Sequence, residues 1–261
     1  MTRVAITGAR GRMGNLILEE IKNAPDIELV AAFDIVGLGQ KVMGDVLLSD
    51  AGDLKKVLQE TRPDVMIDFT VASAATDNIC TAAEVGVSLV VGTTGFSPEQ
   101  TTRIHRAIED GQVAAVISPN FSVGVNVFWK LVEAAAMALR EYDVEVIEAH
   151  HNKKRDAPSG TAVKTVEILR ESMGLDRVVH GREGLAVRTK EIGVHAVRAG
   201  DIVGDHTVLF AGPGERLEIK HQAHSRAAFA SGAVRAAGWV AGVKPGIYSM
   251  ADVLAGVDPS V

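Results

Sequence analysis

Apolar positions in the first 120 residues fall into short blocks separated by amphipathic stretches. Residues 3–7 read as a buried strand, and a glycine-rich turn follows them. Residues 15–22 change to helical spacing, with Ile17 and Ile21 on one face. Residues 28–33 read as a second strand ending at Asp34, and residues 64–69, introduced by Pro63, as a third. Residues 73–84 read as a helix closed by Gly86, and residues 88–91 as a strand running into Gly92-Thr93-Thr94-Gly95. A helix over 98–109 follows Ser97, an N-cap residue with Gln100 three positions later. Residues 113–117 form another strand. This alternation predicts an α/β chain whose first half is a Rossmann-type, doubly wound parallel sheet covered by helices on both faces.

The texture then changes. Residues 124–142 read as a long helix leaving that unit. Val144, Val146 and Ile147 form a short strand that delivers two adjacent histidines, and residues 161–173 form a helix stopped by Gly174. Strand-like runs at 192–197, 202–210 and 216–221 are joined by short Gly and Asp turns, so antiparallel pairs are expected. The second half is predicted to be an α+β domain with an open mixed sheet. Residues 226–239 read as a last long helix, and residues 248–254 carry a short helical pattern.

Composition narrows the function. A chain of 261 residues, 47% hydrophobic and 23% charged, can bury a proper core and is ordinary for a soluble protein. A net charge of −6 argues against nucleic acid as a partner. One cysteine, Cys80, excludes an intrachain disulfide and a cysteine metal cluster, and its helical setting reads as a small buried hydrophobe. Trp129 and Trp239 fall in long helices and read as packing residues. No apolar run approaches the roughly 20 residues needed to span a bilayer, and the N-terminus enters a strand pattern without a signal-peptide core. The expectation is a cytoplasmic protein with no membrane partner.

The turn after the first strand is Gly8-Ala9-Arg10-Gly11-Arg12-Met13-Gly14. Its spacing is Gly-x-x-Gly-x-x-Gly, whereas the commoner dinucleotide fingerprint is Gly-x-Gly-x-x-Gly. Three glycines can simply make a turn. The setting says more: a strand precedes, a helix follows, and Asp34 ends the next strand, where an adenosine ribose is read. Gly8 would permit the tight turn, Gly11 the approach of a pyrophosphate, and Gly14 the packing of helix on strand. A nicotinamide dinucleotide is the expected ligand. Asp34 suits the ribose hydroxyls of NADH; Arg10 and Arg12 could attract the 2′-phosphate of NADPH, while Ile35 adds no charge. Both cofactors stay open.

The chemistry is concentrated in residues 148–162. Two imidazoles, His150 and His151, the cations Lys153, Lys154 and Arg155, and a helix-opening Ser159-Gly160-Thr161 lie within fifteen residues. Neighbouring histidines on an extended chain point opposite ways unless the strand has ended, so they would not share a job. One can act as an acid and the other bind substrate, while Lys154 can hold a carboxylate or supply a proton. The N–H groups near Gly160 and Thr161 would form an anion site. Each piece alone has a duller explanation: a histidine pair at the surface, a solvated charge run, a helix cap. Metal ligation is not expected, because no His-x-x-x-His helix accompanies the single cysteine.

The segment Glu148-Ala149-His150-His151-x-x-Lys154-x-Asp156-Ala157-Pro158-Ser159-Gly160-Thr161-Ala162 closely resembles the signature of the 4-hydroxy-tetrahydrodipicolinate reductase (dihydrodipicolinate reductase) family. Residues 8–14, 92–96, 119–126, 198–204 and 214–219 are similar to further family motifs in the same order, so the likeness covers nearly the whole chain. It implies an oxidoreductase of lysine and diaminopimelate biosynthesis that uses NADH or NADPH on a small dicarboxylate, and a homotetramer built through the second domain. It implies residues 1–121 as the dinucleotide-binding domain with 231–261 returning to it, and residues 122–230 for substrate binding and oligomerisation. Carried over by motif, His150 would donate or accept a proton and Lys154 donate one, while His151, Gly160 and Thr161 would bind a substrate carboxylate. Gly8, Ala9, Arg10, Gly11, Arg12, Met13 and Asp34 would line the cofactor, together with Gly92, Thr93, Thr94, Ser118, Pro119, Asn120 and Phe121. Another Rossmann-type amino-acid or sugar dehydrogenase, or a non-catalytic NADH-binding sensor, are the alternative readings.

Overall fold

The first strand, β1 (Thr2–Thr7), is buried from Val4 on, and α1 (Arg12–Lys22) follows it with Gly14, Ile17, Leu18 and Ile21 turned inward. The chain continues through β2 (Ile27–Asp34), β3 (Lys41–Met43), β4 (Val46–Asp50), a 3-10 turn (Ala51–Asp53) and α2 (Leu54–Thr61). Then come β5 (Val65–Asp68), α3 (Ala72–Glu84), β6 (Ser88–Val91), α4 (Pro98–Gly111) and β7 (Ala114–Ile117). The next stretch holds α5 (Val123–Ala138), β8 (Asp143–His150), α6 (Gly160–Met173), β9 (Val178–His180), β10 (Ile192–Arg198), β11 (Gly204–Gly212) and β12 (Glu215–Ala223). It closes with α7 (Ala227–Val240), β13 (Gly246–Tyr248) and α8 (Met250–Ala255). This computed structural model describes residues 1–256; residues 257–261, the end of the expected C-terminal return, lie outside the described residues.

Two compact units result. The first is Met1–Val123 joined by the chain from Ala227 on, and the second is Gly124–Arg226. In the first, eight strands run in the order β13-β7-β6-β5-β1-β2-β4-β3, parallel throughout except for the β3–β4 hairpin. Both faces are covered, so the strands read as near-continuous apolar runs. One face packs Ile6, Ile67 and Val116 against Ile17 and Ile21 of α1 and Ala233 and Ala237 of α7. The other packs Phe33, Met66 and Leu89 against Leu58 of α2, Ile79 of α3 and Ile104 and Ile108 of α4. Each fully buried side chain of this size contributes roughly 1.5–3 kcal/mol. The Ser97 cap forms as expected: its hydroxyl accepts from the N–H of Gln100, whose side chain accepts from the Ser97 N–H.

The second unit is a five-stranded mixed sheet, β12-β11-β8-β10-β9, with β11 antiparallel to both β8 and β12. Helices α5 and α6 cover one face through Val125, Phe128, Trp129, Val132 and Leu169. Along β8, burial alternates strictly, which turns Val144, Val146, Glu148 and His150 to the covered face.

Several expectations are corrected. The long helix stops at Ala138, four residues early, because Leu139–Tyr142 curl into a turn whose Tyr142 hydroxyl pairs with Glu215. The expected strand at 202–210 begins at Gly204, since Ile202 gives its carbonyl to the His151 N–H and residues 199–203 form a turn around Gly200 at φ +50°. Residues 41–61, read as nothing, hold a hairpin and a helix, and β9 and β13 are three-residue strands at sheet edges.

Candidate active site

The glycine turn closes on itself. Gly8 adopts φ +73°, a conformation that favours glycine. A Cβ on Gly14 would stand 2.0 Å from the Gly8 carbonyl oxygen, and one on Gly11 would stand 3.0 Å from it. The Gly11 N–H donates to that same carbonyl, and the Ala9 N–H donates to Phe33. Gly11 is the N-cap of α1 and offers no side chain to the first turn, so the helix opens without a side-chain cap. Asp34 ends β2, where its carboxylate accepts from the N–H groups of Arg10 at 2.8 Å and Ile35 at 2.7 Å. The Arg10 guanidinium reaches Gln40 at 2.9 Å.

A second feature stitches the strand ends together. Asp68, the last residue of β5, is fully buried and accepts from Thr7, Thr93, Thr70 and Asn78. It thereby ties β1, β5, α3 and the turn after β6 at the carboxyl edge, where β1 lies between β2 and β5. Ligands of open α/β sheets bind at this switch of strand order. Two cavities open there. One of about 340 Å³ is lined by Gly8, Gly11, Asp34, Ile35, Phe69 and Thr70 among others. The other, about 220 Å³, is lined by Met13, Phe69, Gly92, Thr94, Pro119, Asn120, Phe121 and Phe229. The Phe69 ring borders both and lies 5.6 Å from the Phe121 ring; a Cβ on Gly92 would run into it. A larger groove of about 940 Å³ lies at the opposite strand ends, near Arg3 and Glu28, away from these groups.

Not every expected cofactor residue can act through its side chain. Ala9 is buried in the core, Thr93 spends its hydroxyl on Asp68, and Ser118 donates to the Asn120 carbonyl. Sequence reasoning passed over Asp68, Phe69 and Thr70. A polar residue closing a wholly apolar strand was the available cue.

In the second unit the histidine cluster is anchored by Glu148. This carboxylate is fully buried; its Oε2 lies 2.5 Å from His150 Nδ1, and Arg198 donates to both its oxygens at 2.8 and 2.9 Å. The Ser159 N–H adds a fourth contact at 3.1 Å. Burial alone would raise the Glu148 carboxyl, but Arg198, His150 and Ser159 hold it below the ordinary range. Burial lowers His150 and outweighs the raising effect of Glu148, with Lys154 and Arg198 pushing down as well. The His206 ring meets His150 edge-on at 5.2 Å and lies 3.2 Å from the Ser159 hydroxyl.

The loop separates its cations. Lys153 and Arg155 are exposed, whereas Lys154 is half-buried with its ammonium 2.9 Å from Asp156. The strand ends at His150, so His151 stands on the turn, where its N–H binds Ile202 and its carbonyl receives the Lys154 N–H. Ser159 caps α6 through Ala162. Gly160 begins the helix facing open space, with nothing within 4 Å of where a Cβ would stand. His150, Lys154, Gly160 and Thr161 are thus carried by one strand end, one loop and one helix start. Arg198 and His206, missed as functional residues, come from the neighbouring strands β10 and β11.

A doubly wound sheet with a glycine-rich, uncapped helix start, in one chain with an α+β unit carrying a carboxylate-bound imidazole and a lysine, defines a two-domain dinucleotide-dependent oxidoreductase. Residues 2–121 match the family model for dihydrodipicolinate reductase, N-terminus, and residues 124–254 match its C-terminus. A 4-hydroxy-tetrahydrodipicolinate reductase of Methanosarcina barkeri is 57% identical over 262 residues, spanning 97% of this chain and 99% of its own. A dipicolinate-bound dihydrodipicolinate reductase from Paenisporosarcina sp. TG-14 superposes with a TM-score of 0.81 at 28% identity, over 95% of this chain and 97% of its own. An amine dehydrogenase from Mycobacterium smegmatis, at TM-score 0.61 and 15% identity over 96% and 95% of the two chains, shares the fold alone. The chain belongs to the dihydrodipicolinate reductase family.

Proposed function

We propose that the chain reduces 4-hydroxy-tetrahydrodipicolinate to tetrahydrodipicolinate in the diaminopimelate route to lysine, with His150 and Lys154 handling protons. The observation that carries the residue assignment is the buried Glu148–His150 pair beside Lys154, with the start of α6 facing open space at Gly160. NADH or NADPH, when bound, supplies the hydride. The fit of the first unit supports such a cofactor: Gly8 and Gly11 leave no side chain over the turn, α1 lacks a side-chain cap, and Asp34 ends β2. Asp34 would accept the ribose hydroxyls, Gly92 and Thr94 would border the nicotinamide side, and the Arg10 guanidinium, now on Gln40, would turn to a 2′-phosphate. Ile35 is 80% exposed and uncharged, which leaves NADH usable.

Loss of the 4-hydroxyl as water leaves a conjugated cyclic imine, and adding hydride to it leaves an electron pair on the ring that a proton must take. Lys154 is a cation beside Asp156 and can supply that proton. His150, kept neutral by burial, offers a ring nitrogen that takes a proton and returns it. His151, with the helix-start N–H groups at Gly160 and Thr161, would hold a carboxylate. We also read the chain as a cytoplasmic homotetramer joined through the second unit. Support comes from the uncovered face of that sheet, where Ile147 and Val197 are exposed, and from the fully exposed Leu185 and Val187. No described helix is long and apolar enough to cross a membrane.

The test is absorbance loss of NADH, and separately of NADPH, on adding fresh condensation product of aspartate semialdehyde and pyruvate. Turnover that collapses in His150→Gln and Lys154→Ala, with cofactor binding retained, is the expected result. No oxidation at saturating protein sinks the reductase reading, and turnover on an amino acid or sugar instead favours a different dehydrogenase.

A further inference from the structure

The geometry points to Glu148 as the positioning residue of His150: clamped by Arg198, it accepts a hydrogen bond from Nδ1–H and leaves Nε2 as the atom that meets the substrate. This rests on the reading of His150 as the proton-handling group.

An unpaired carboxylate inside a sheet–helix interface is prohibitively costly, so its partners decide what it does. Glu148 has four, one for each acceptor direction. Oε1 receives the Ser159 N–H and Arg198 Nη2; Oε2 receives Arg198 Nη1 and stands 2.5 Å from His150 Nδ1. The bidentate guanidinium keeps the carboxylate ionised. An ionised carboxylate only accepts, so the proton between it and the ring belongs to Nδ1. Nε2 is then bare in the neutral ring and is the site that gains or gives a proton.

The surroundings hold that orientation. Arg198 ends β10, whose residues pair in register with β8 so that Arg198 lies opposite His150, and its Nη2 also grips the Asp156 carbonyl at 2.6 Å. The clamp therefore fixes both the imidazole and the loop that carries Lys154. His206 blocks one side of the ring edge-on at 5.2 Å. Gly204 lies against the Nε2 side, where a Cβ would stand 3.0 Å from that nitrogen. A carboxylate that sets the tautomer and orientation of a proton-transferring histidine is a recurrent device of hydrolases and metal sites. A purely structural ion pair would tie β8 to β10 without needing the Nδ1 contact.

The experiment uses the full chain saturated with NADH. Glu148→Gln keeps shape and can still accept from Arg198, but its amide can offer N–H to Nδ1 and select the opposite tautomer. Turnover is expected to fall about 10–100-fold with KM little changed, and Glu148→Asp to recover part of the loss. Long-range 1H–15N spectra of the wild type should show His150 as the Nδ1–H tautomer, and those of Glu148→Gln should not. A folded Glu148→Gln chain with wild-type turnover overturns the proposal. So does a wild-type spectrum showing Nε2–H, which needs no variant to fold. His150→Gln separates the two readings. Unchanged turnover there removes the proton role and the positioning role together. Collapse there, with Glu148→Gln unaffected, removes the positioning role alone.

Discussion

Replacing Asp68 by alanine should cost the first unit several kcal/mol. The carboxylate is completely buried and takes Thr7 Oγ1 at 2.6 Å, Thr93 Oγ1 at 2.7 Å, Thr70 Oγ1 at 2.9 Å, Asn78 Nδ2 at 3.0 Å and the Thr70 N–H at 3.1 Å. Two of these donors have a fallback: Thr7 at the Ile67 carbonyl, 3.4 Å away, and the Thr70 N–H at Thr93, 2.9 Å away. Asn78 and Thr93 are buried, and both lose the acceptor that holds them. At about 1–3 kcal/mol per orphaned buried donor, the loss is roughly 2–6 kcal/mol. Release of the carboxylate's own desolvation, and a water entering the space, pull the figure to the lower half of that range. Against a typical total of about 5–15 kcal/mol, that is a large fraction. Asp68→Asn keeps one acceptor and should lose about half as much. The assay is urea unfolding, read at the transition that abolishes NADH binding. Thr93→Val should cost about 1 kcal/mol in the wild type, and its effect should not add to that of Asp68→Ala, because the two residues share one contact and the Thr70 N–H uses both as acceptors. If both Asp68 variants unfold within about 0.5 kcal/mol of the wild type, as harmless surface changes do, the hub carries no weight and the reasoning is refuted.

Gly14→Ala places a methyl 2.0 Å from the Gly8 oxygen, so the turn must open; NADH affinity by fluorescence titration should drop at least about tenfold, the equivalent of roughly 1.4 kcal/mol, and an unchanged Kd would show that the turn yields. Ile35→Arg, at an exposed position beside Asp34, should raise kcat/KM for NADPH relative to NADH with stability unchanged, and equal ratios before and after would remove that position from cofactor choice. Burial, aided by His150, pushes His206 down to about 4. The unfolded chain therefore binds more protons between about 6.5 and 4, and stability is lost as pH falls through that window. At 1.36 kcal/mol per unit, this one group accounts for roughly 3 kcal/mol. Urea midpoints of wild type and His206→Asn across that range should diverge, and parallel curves would mean His206 is not held neutral.

Local chemistry was legible where one short stretch carries it. Ser97 and Gln100 announce their own cap, and Gly174 at φ +70° stops α6 as its position suggests. The strand that delivers the histidines was legible from Val144, Val146 and Ile147, although Glu148 and His150 at its end are polar. Period two nevertheless puts them on the face of Val144 and Val146, and the partner groups that make this tolerable lie elsewhere in the chain. His206 could have been found the same way, since Gly204, His206, Val208 and Phe210 alternate with more exposed neighbours along β11. Arg198 could not. Its bond to Glu148 depends on β10 pairing in parallel with β8, fifty residues away in sequence. The hairpin and helix of residues 41–61 were invisible for another reason: two short strands at the margin of the sheet, with Leu47 exposed, give no apolar period to count.

Charge is apportioned differently from what the basic run suggests. Of the three consecutive cations, Lys153 and Arg155 face solvent, where screening leaves them only a diffuse field. Lys154 is drawn inward but meets Asp156, which is itself exposed. The best-buried cation near the imidazole, Arg198, is already neutralised by Glu148, so it orders the site without adding to its potential. His150 is kept neutral by burial. A dianionic substrate on a chain of net charge −6 thus finds little fixed positive charge. What it can recruit is Lys154, by displacing a solvent-facing carboxylate, and the N–H groups at the start of α6, where the Glu148 carboxylate already takes the Ser159 N–H. On the proposed mechanism, binding and proton supply then fall on the same ammonium. That is a physical reason for Lys154 to affect both affinity and rate, while Glu148, through the tautomer of His150, should act chiefly on rate.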